Sequence, residues 1–366
     1  MQTSSQHTSP QDTAGLDWAL VLGLLPDGWA AQAGKCGAFR RARKVKTPEA
    51  LLRLVLMHAG VGLSFQQTAD AARHGELAQM AKASVWERVQ RVGPWLDWLI
   101  ATMLRRHVTA PKIAGYRARA VDATVVSGPK SKTQLRLHYA LCLASLSCDD
   151  MVIGDAREAE GFHKFRVAPG DLLIGDRVYA KAKGIAAVKQ AGGDVIVRLG
   201  RTSLTLYDEA GAKIDWLSWL RGTAAGKPRQ RFAQFRNEGG QWTAGRLCAV
   251  RLSDEQVEKA QRRCRKTAQR KGTKLRDTTL EAASYLCVFT TTPQERLSAR
   301  MVLEFYRTRW QIELCFKRLK SLLGADQLRE VCPAAARIWL QGKMLYALLL
   351  QACLQAAGSL SPRERG

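Results

Sequence analysis

An α/β layer bracketed by helical segments is what this sequence predicts, and three observations predict it. After Pro111, the runs 117–126, 135–145 and 151–157 are short, largely apolar and follow one another as a meander would. A fourth strand-like run, 171–179, leads through a helical 180–192 into a fifth, 194–200, and this alternation marks a mixed layer rather than a bundle or a sandwich. Apolar residues recur at helical spacing on both sides, from Thr47 to about residue 107 and again from Pro293 onward.

Taken in order, residues 1–45 read as a polar leader, partly disordered, above all over 1–15. Residues 46–112 form a helical domain: Thr47 suits an N-cap, Pro48 a first turn, and 51–60 the apolar run behind them. Its short helices, joined by Gly and Ser with Arg and His on their polar faces, fit a helix-turn-helix-like DNA reader and fit a plain bundle with a basic surface equally well. Residues 113–200 and 293–333 are two parts of the α/β layer, separated at 201–292 by a mainly β insertion with a basic stretch. Residues 334–366 form a helical tail. Its apolar run 338–358 is interrupted by Gln341, Gly342, Lys343 and Gln351, which suits a buried or interface helix rather than a membrane span.

The 366 residues carry 57 Lys and Arg against 32 Asp and Glu, a formal charge of +25 and a pI near 10.1. With 46% hydrophobic residues, the chain folds rather than behaving as a basic tail, so its excess charge points to a polyanion, first of all nucleic acid. The nine cysteines stand as singletons without a Cys/His ligand spacing, which argues against zinc and suits reduced thiols of a cytosolic protein. The N-terminus lacks a basic segment followed by an apolar one, so no signal peptide is expected. Residues 259–276 hold nine Lys or Arg and no acid. Such a run suits a solvated loop; its self-repulsion suits a phosphate backbone better, with Arg262, Arg263, Lys266, Arg270 and Lys271 as contacts.

Tyr306, Arg309, Glu313 and Lys320 are spaced by three, four and seven. On one helix they fall within an arc of about 60°, beside an apolar stripe of Met301, Phe305, Ile312, Phe316, Leu319 and Leu323. A carboxylate flanked by cations suits a metal ion beside phosphates; a solvated, salt-bridged face gives the same pattern. Two further carboxylates decide between them. Asp122 and Asp176 each end an apolar strand-like run, and with Glu313 they would supply the hard oxygen ligands that Mg²⁺ takes. Two such ions could activate the attacking oxygen and stabilise the leaving one in phosphodiester chemistry.

These residues carry a family resemblance. The chain resembles DDE transposases of bacterial insertion sequences, of the insertion-sequence-four family with its Tyr-Arg-Glu-Lys signature. The match runs through Val121–Thr124, Arg136–His138, Pro169–Asp171, Gly175–Tyr179 and Tyr306–Lys320. The resemblance implies an RNase H-like catalytic domain interrupted by a mainly β insertion, with Asp122, Asp176 and Glu313 as catalytic metal ligands. It implies Tyr306, Arg309 and Lys320 as phosphate contacts, with Trp310 packing rather than stacking on a base. Ala123 and Val178 stand where many relatives have glycine, which touches loop geometry and removes no ligand.

The implied function is cut-and-paste transposition: binding of terminal inverted repeats in double-stranded DNA, Mg²⁺-dependent cleavage with Mn²⁺ able to substitute, and strand transfer to target DNA. A homodimer on DNA, away from any membrane and in the cytoplasm of a bacterium beside its nucleoid, is implied with it. A catalytically silent, domesticated DNA-binding protein and an RNase H-fold nuclease without strand transfer are the competing readings. A phosphate-metabolising enzyme for small substrates fits poorly, because the charge is large and no glycine-rich phosphate loop is present.

Overall fold

A computed structural model of the chain describes residues 18–105, 112–129, 133–200, 203–330 and 332–360. Two bodies form: one from the described residues of 1–109, 125–135 and 317–366, the other from those of 110–124 and 136–316.

The first body is helical. Helix α1 spans Trp29–Lys35, α2 Pro48–Val55, α3 Phe65–His74, α4 Lys82–Val89 and α5 Gly93–Arg105. Thr47 caps α2 by accepting from the Ala50 amide at 3.1 Å, and Ser64 with Gln67 forms a capping box on α3. A π-helical turn, Leu56–Val61, follows α2. It packs against the long C-terminal helix Pro333–Leu360 (α12 in chain order) at backbone distance. A Cβ on Gly60 would meet the Tyr346 ring at 2.9 Å, and one on Gly342 would meet Ala59 Cβ at 2.6 Å. Buried Lys343 donates to Gly60 O at 2.8 Å. Of the leader expected over 1–45, residues 1–17 lie outside the described residues, while the remainder is folded. Trp29 stacks on Trp95 at 6.2 Å, and Trp95 Nε1 donates to Trp29 O at 2.9 Å. The helical part thus begins well before residue 46, on an apolar row of Leu25, Trp29 and Ala33.

The second body is built on an eight-stranded sheet. Its strands are β1 Arg117–Ser127, β2 Gln134–Cys142, β3 Ser147–Asp155, β4 Asp171–Gly175, β5 Asp194–Arg198, β6 Arg229–Arg236, β7 Trp242–Arg251 and β8 Tyr285–Thr290, in the order β3-β2-β1-β4-β5-β8-β7-β6. β1, β4 and β5 run parallel, and β8, β7 and β6 continue antiparallel. This mixed sheet with helices at both ends of the chain is consistent with an RNase H-like domain. Alternation along the strands splits the core in two. Val121, Leu173, Val195 and Val197 face Phe162, Tyr179 and Ile185, the last on α6 (Ala182–Gln190). Ala118, Leu172, Ile174 and Ile196 face Val302, Leu303, Phe305 and Tyr306. Buried Arg119 ties three strands together through Asp149 at 3.0 Å, Asp150 at 3.5 Å and Asp171 at 3.2 Å.

Two expectations change in the second body. The segment 201–292 contributes β6, β7 and β8 to the same sheet and also holds three helices, α7 Trp216–Arg221, α8 Asp254–Arg270 and α9 Asp277–Ala283. Most of the basic stretch of this insertion, expected to be mainly β, is therefore the helix α8. Its lead-in supplies what the run lacks: Ser253 and Gln256 form a capping box, and Glu255 and Glu258 pair with Lys259 and Arg262 one turn on. The helix carrying the Tyr-Arg-Glu-Lys row is likewise two helices, α10 Ala299–Thr308 and α11 Trp310–Ser321. At the joint, Arg309 N donates to Tyr306 O and Ile312 N to Arg309 O, both at 3.1 Å, a tighter turn than the α-helix makes. Thr308 Oγ1 donates to Phe305 O at 2.7 Å, a side chain-to-backbone bond of the kind that bends helices. Among the described residues, no helix is long and apolar enough to cross a membrane.

Candidate active site

Strand register brings two aspartates level. The parallel pairing of β1 with β4 runs to Ala120 opposite Ile174. Asp122 and Asp176 each lie two residues further, so the period of two places both on the same face at the same height. β1 continues to Ser127, so Asp122 stands inside a strand and not at its end. β4 does stop at Gly175, and Asp176 caps the 3₁₀ turn Arg177–Tyr179 by accepting from Val178 N at 2.9 Å. Asp122 Oδ1 accepts from Ala123 N at 2.8 Å. Ala123 and Val178 thus serve the aspartates through their amides, a role that does not require glycine.

Arg309 connects Asp122 to the third acid. Its Nη1 lies 3.6 Å from Asp122 Oδ2, and its Nη2 donates to Glu313 Oε1. The break at Arg309 is what lets one guanidinium, itself largely buried, reach a strand on one side and α11 on the other. Burial pushes the Asp122 carboxyl up to about 6, and the nearby charges of Asp176 and Glu160 push the same way against the Ala123 amide and Arg309. A carboxylate so crowded favours a cation beside it.

Glu160 and Tyr179 also belong to this environment. Arg136 Nη1 pairs with Glu160 Oε1, and burial raises the Glu160 carboxyl, with Asp176 adding to the rise. Tyr179 is fully buried, and its hydroxyl has no hydrogen-bond partner among the described residues. Burial raises the phenol, and the charges of Asp122, Glu160 and Asp176 raise it further. Sequence reasoning missed both in this role. Tyr179 closes the Gly175–Tyr179 motif and was within reach, whereas Glu160 lies in a connection with no periodic signal.

The predicted phosphate contacts separate. Tyr306 is buried in the core beneath the sheet. Lys320 is half-buried near the end of α11, in the part of the chain that belongs to the other body. Arg263 joins Lys259, Arg177, Arg198, Arg307 and Trp310 around an open cavity of about 980 Å³ that no acidic residue lines among the described residues. Burial and the neighbouring Arg198 hold Arg177 below the usual guanidinium range. Arg262 is paired with Glu258 at 2.6 Å, and Lys266, Arg270 and Lys271 are exposed beyond the cavity lining. Trp310 was expected to pack. It is 50% exposed, because the break places it at the head of α11 beside the cavity.

Among the described residues, no three His, Cys, Asp or Glu side chains already converge as a metal cage. The donor chemistry nevertheless suits a hard divalent cation. Asp122 and Asp176 are oxygen donors with mutually unfavourable charge, and Glu313 is joined to Asp122 through Arg309.

Two aspartates at the ends of neighbouring parallel pairings and a glutamate joined to one of them by Arg309 are the acids this arrangement offers, and comparisons with known proteins give the family. Residues 113–350 match the family described as the transposase DDE domain, and the chain belongs to that family. It is 30% identical over 359 residues to the protein named as transposase InsL for insertion sequence element IS186A of Escherichia coli strain K12, covering 96% of this chain and 97% of that one. It is also 30% identical over 361 residues to the transposase for insertion sequence element IS421 of Escherichia coli, with the same coverage. A piggyBac transposase synaptic complex with hairpin DNA aligns over 96% of this chain and 82% of that chain, at 9% identity and a TM-score of 0.39.

Proposed function

We propose that this transposase binds the terminal inverted repeats of its own insertion sequence, cleaves DNA at the element's ends and joins the freed 3′ ends to target DNA. The observation that carries the reading is the levelling of Asp122 and Asp176 by strand register, with Arg309 spanning Asp122 and Glu313. Asp122, Asp176 and Glu313 would hold the divalent cation, Mg²⁺ with Mn²⁺ as substitute, which when bound lowers the pKa of an attacking oxygen and offsets charge on the phosphate.

The chain's own residues do the remainder. Arg309 balances two carboxylates before DNA arrives and can turn its five donors to a phosphate when one enters. Arg177, Arg198, Lys259, Arg263 and Arg307 offer the adjoining strand a cationic wall, and Trp310 adds an apolar face. Arg262, Lys266, Arg270 and Lys271 extend that field along α8. Joining two ends calls for two copies, hence a homodimer assembled on DNA.

Incubating purified protein with duplex DNA carrying the ends that flank its gene, with Mg²⁺ or EDTA and beside Glu313→Ala, tests the proposal. Metal-dependent nicking at the element boundary and joining of a labelled 3′ end to a second duplex are expected, both lost in the variant. Cleavage without joining would mark a nuclease, and end binding without cleavage a silent DNA-binding descendant.

A further inference from the structure

We propose that the helical body holds a site for a nucleotide phosphate, in the cavity lined by the π-helical turn Leu56–Val61, the start of α3 and α12, with Lys343 buried in its wall and Lys82 and Arg329 exposed at its rim. The proposal goes beyond strand cleavage and stands apart from the acidic site, because every residue lining this cavity belongs to the first body.

The cavity encloses about 620 Å³, within the range of sites that take a small organic ligand. Lys343 is 2% exposed. Its ammonium donates to Gly60 O at 2.8 Å and lies 5.1 Å from the centre of the Trp339 ring. An ammonium has three donors, and among the described residues the Gly60 bond uses one of them. Burial alone brings Lys343 down to about 8, with no carboxylate opposing the fall. A buried cation without a counter-charge is destabilising, and an anion that reaches it removes the penalty.

The rest of the lining repeats that sign. Lys82 and Arg329 are exposed and, among the described residues, neither is paired with a carboxylate. Glu330 is the one acid in the lining, against three cations, and its Oε1 faces His58 Nε2 at 3.7 Å. His58 is itself fixed, donating from Nδ1 to Leu63 O at 2.8 Å and stacking on Phe65 at 4.0 Å. Ser64, Phe65 and Gln66, the cap and first residues of α3, line the same cavity. First-turn amides have no partner inside their helix and favour an anion. Gly62 adopts φ +93°, and a Cβ there would lie 3.9 Å from Lys343 Nζ; glycine leaves that approach to the ammonium uncovered. Cations on separate elements suit a phosphate ester, whose several oxygens accept from more than one side, and Trp339 and Tyr346 give its sugar an apolar wall.

Such a phosphate arrives either on DNA or on a free nucleotide, and two titrations separate the sources. One uses a duplex carrying the ends that flank the gene, at four salt concentrations; the other uses deoxyadenosine 5′-monophosphate. Wild type, Lys343→Met, Lys82→Ala and Arg329→Ala are compared, each with a melting curve. A DNA phosphate in the cavity predicts that Lys343→Met flattens the slope of log affinity against log salt by about one. A free nucleotide predicts monophosphate binding weakened about tenfold or more in Lys343→Met, with the duplex slope unchanged. A folded Lys343→Met that matches wild type in both titrations overturns the proposal and leaves Lys343 a packing residue bonded to Gly60. Should Lys343→Met fail to fold, the two rim variants decide by the same readings, and wild-type behaviour of both overturns the proposal equally.

Discussion

Arg309 Nη1 stands 3.6 Å from Asp122 Oδ2 while the same guanidinium donates to Glu313. One cation thus holds a strand carboxylate and a helix carboxylate that would otherwise repel each other, and it does so from the break between α10 and α11. Lysine carries the same charge, but its single ammonium cannot present two donors in a fixed fork. Arg309→Lys is accordingly expected to keep the fold and to slow end cleavage by roughly a hundredfold, the order of loss that misplacing reacting groups produces. Single-turnover cleavage of an end duplex at saturating protein measures it. A rate equal to wild type would mean that net charge suffices and the bridge does not matter.

The raised Asp122 carboxyl sets a pH dependence of stability. Its ordinary value is 3.8 and its folded value about 6. Folded protein therefore binds the proton more tightly than unfolded chain, so the stabilisation present below about pH 4 is lost as pH rises through 6. The side chain is 20% exposed, and the shift of about two pH units corresponds to at most about 3 kcal/mol. Asp122→Asn removes the charge, so in EDTA it should melt above wild type at pH 7.5, with the gain vanishing near pH 4. Thermal melts at both values check this. A variant less stable than wild type at pH 7.5 would show that the contacts of Asp122 outweigh its crowding.

Much of this site was legible in the sequence, and the parts that were not share a physical cause. Asp122, Asp176 and Glu313 stood out because carboxylates beside apolar runs break a pattern. Their levelling did not, since register depends on which residues of β1 and β4 pair. The break at Arg309 was invisible because Tyr306, Arg309 and Glu313 keep helical spacing across it, and Trp310 was misplaced for the same reason. Residues 259–276 were placed in a mainly β insertion because the run was read without Ser253, Glu255 and Glu258, which start and brace α8. Glu160 lies in an irregular connection, where only the fold brings it toward the acids.

Gly175 tests whether the buried tyrosine is part of the site's scaffold. A methyl at this position would lie 2.7 Å from Tyr179 Cβ, closer than real contacts allow, and a tight 3.1 Å from Phe162 Cζ, so the turn after β4 must shift. Gly175→Ala should cost about 1–3 kcal/mol, the usual penalty of overpacking a filled core, and should displace Asp176 with the turn it caps. Chemical denaturation gives the first quantity and end cleavage the second. A variant as stable and as active as wild type would show that Tyr179 can move aside freely.

The cationic cavity makes a separable prediction about DNA. Arg198 and Arg263 both line it, on β5 and α8 respectively. Each phosphate contact contributes close to one unit to the slope of log affinity against log salt. Arg198→Ala and Arg263→Ala should each flatten that slope by about one for an end duplex. Arg262→Ala should change it less, because its guanidinium is already paired with Glu258 at 2.6 Å on the exposed side of α8. Titrations at four salt concentrations distinguish the three variants. Identical slopes in all of them would assign the DNA backbone to another surface, whereas a larger effect from Arg262 would place it along the outer face of α8 instead of in the cavity.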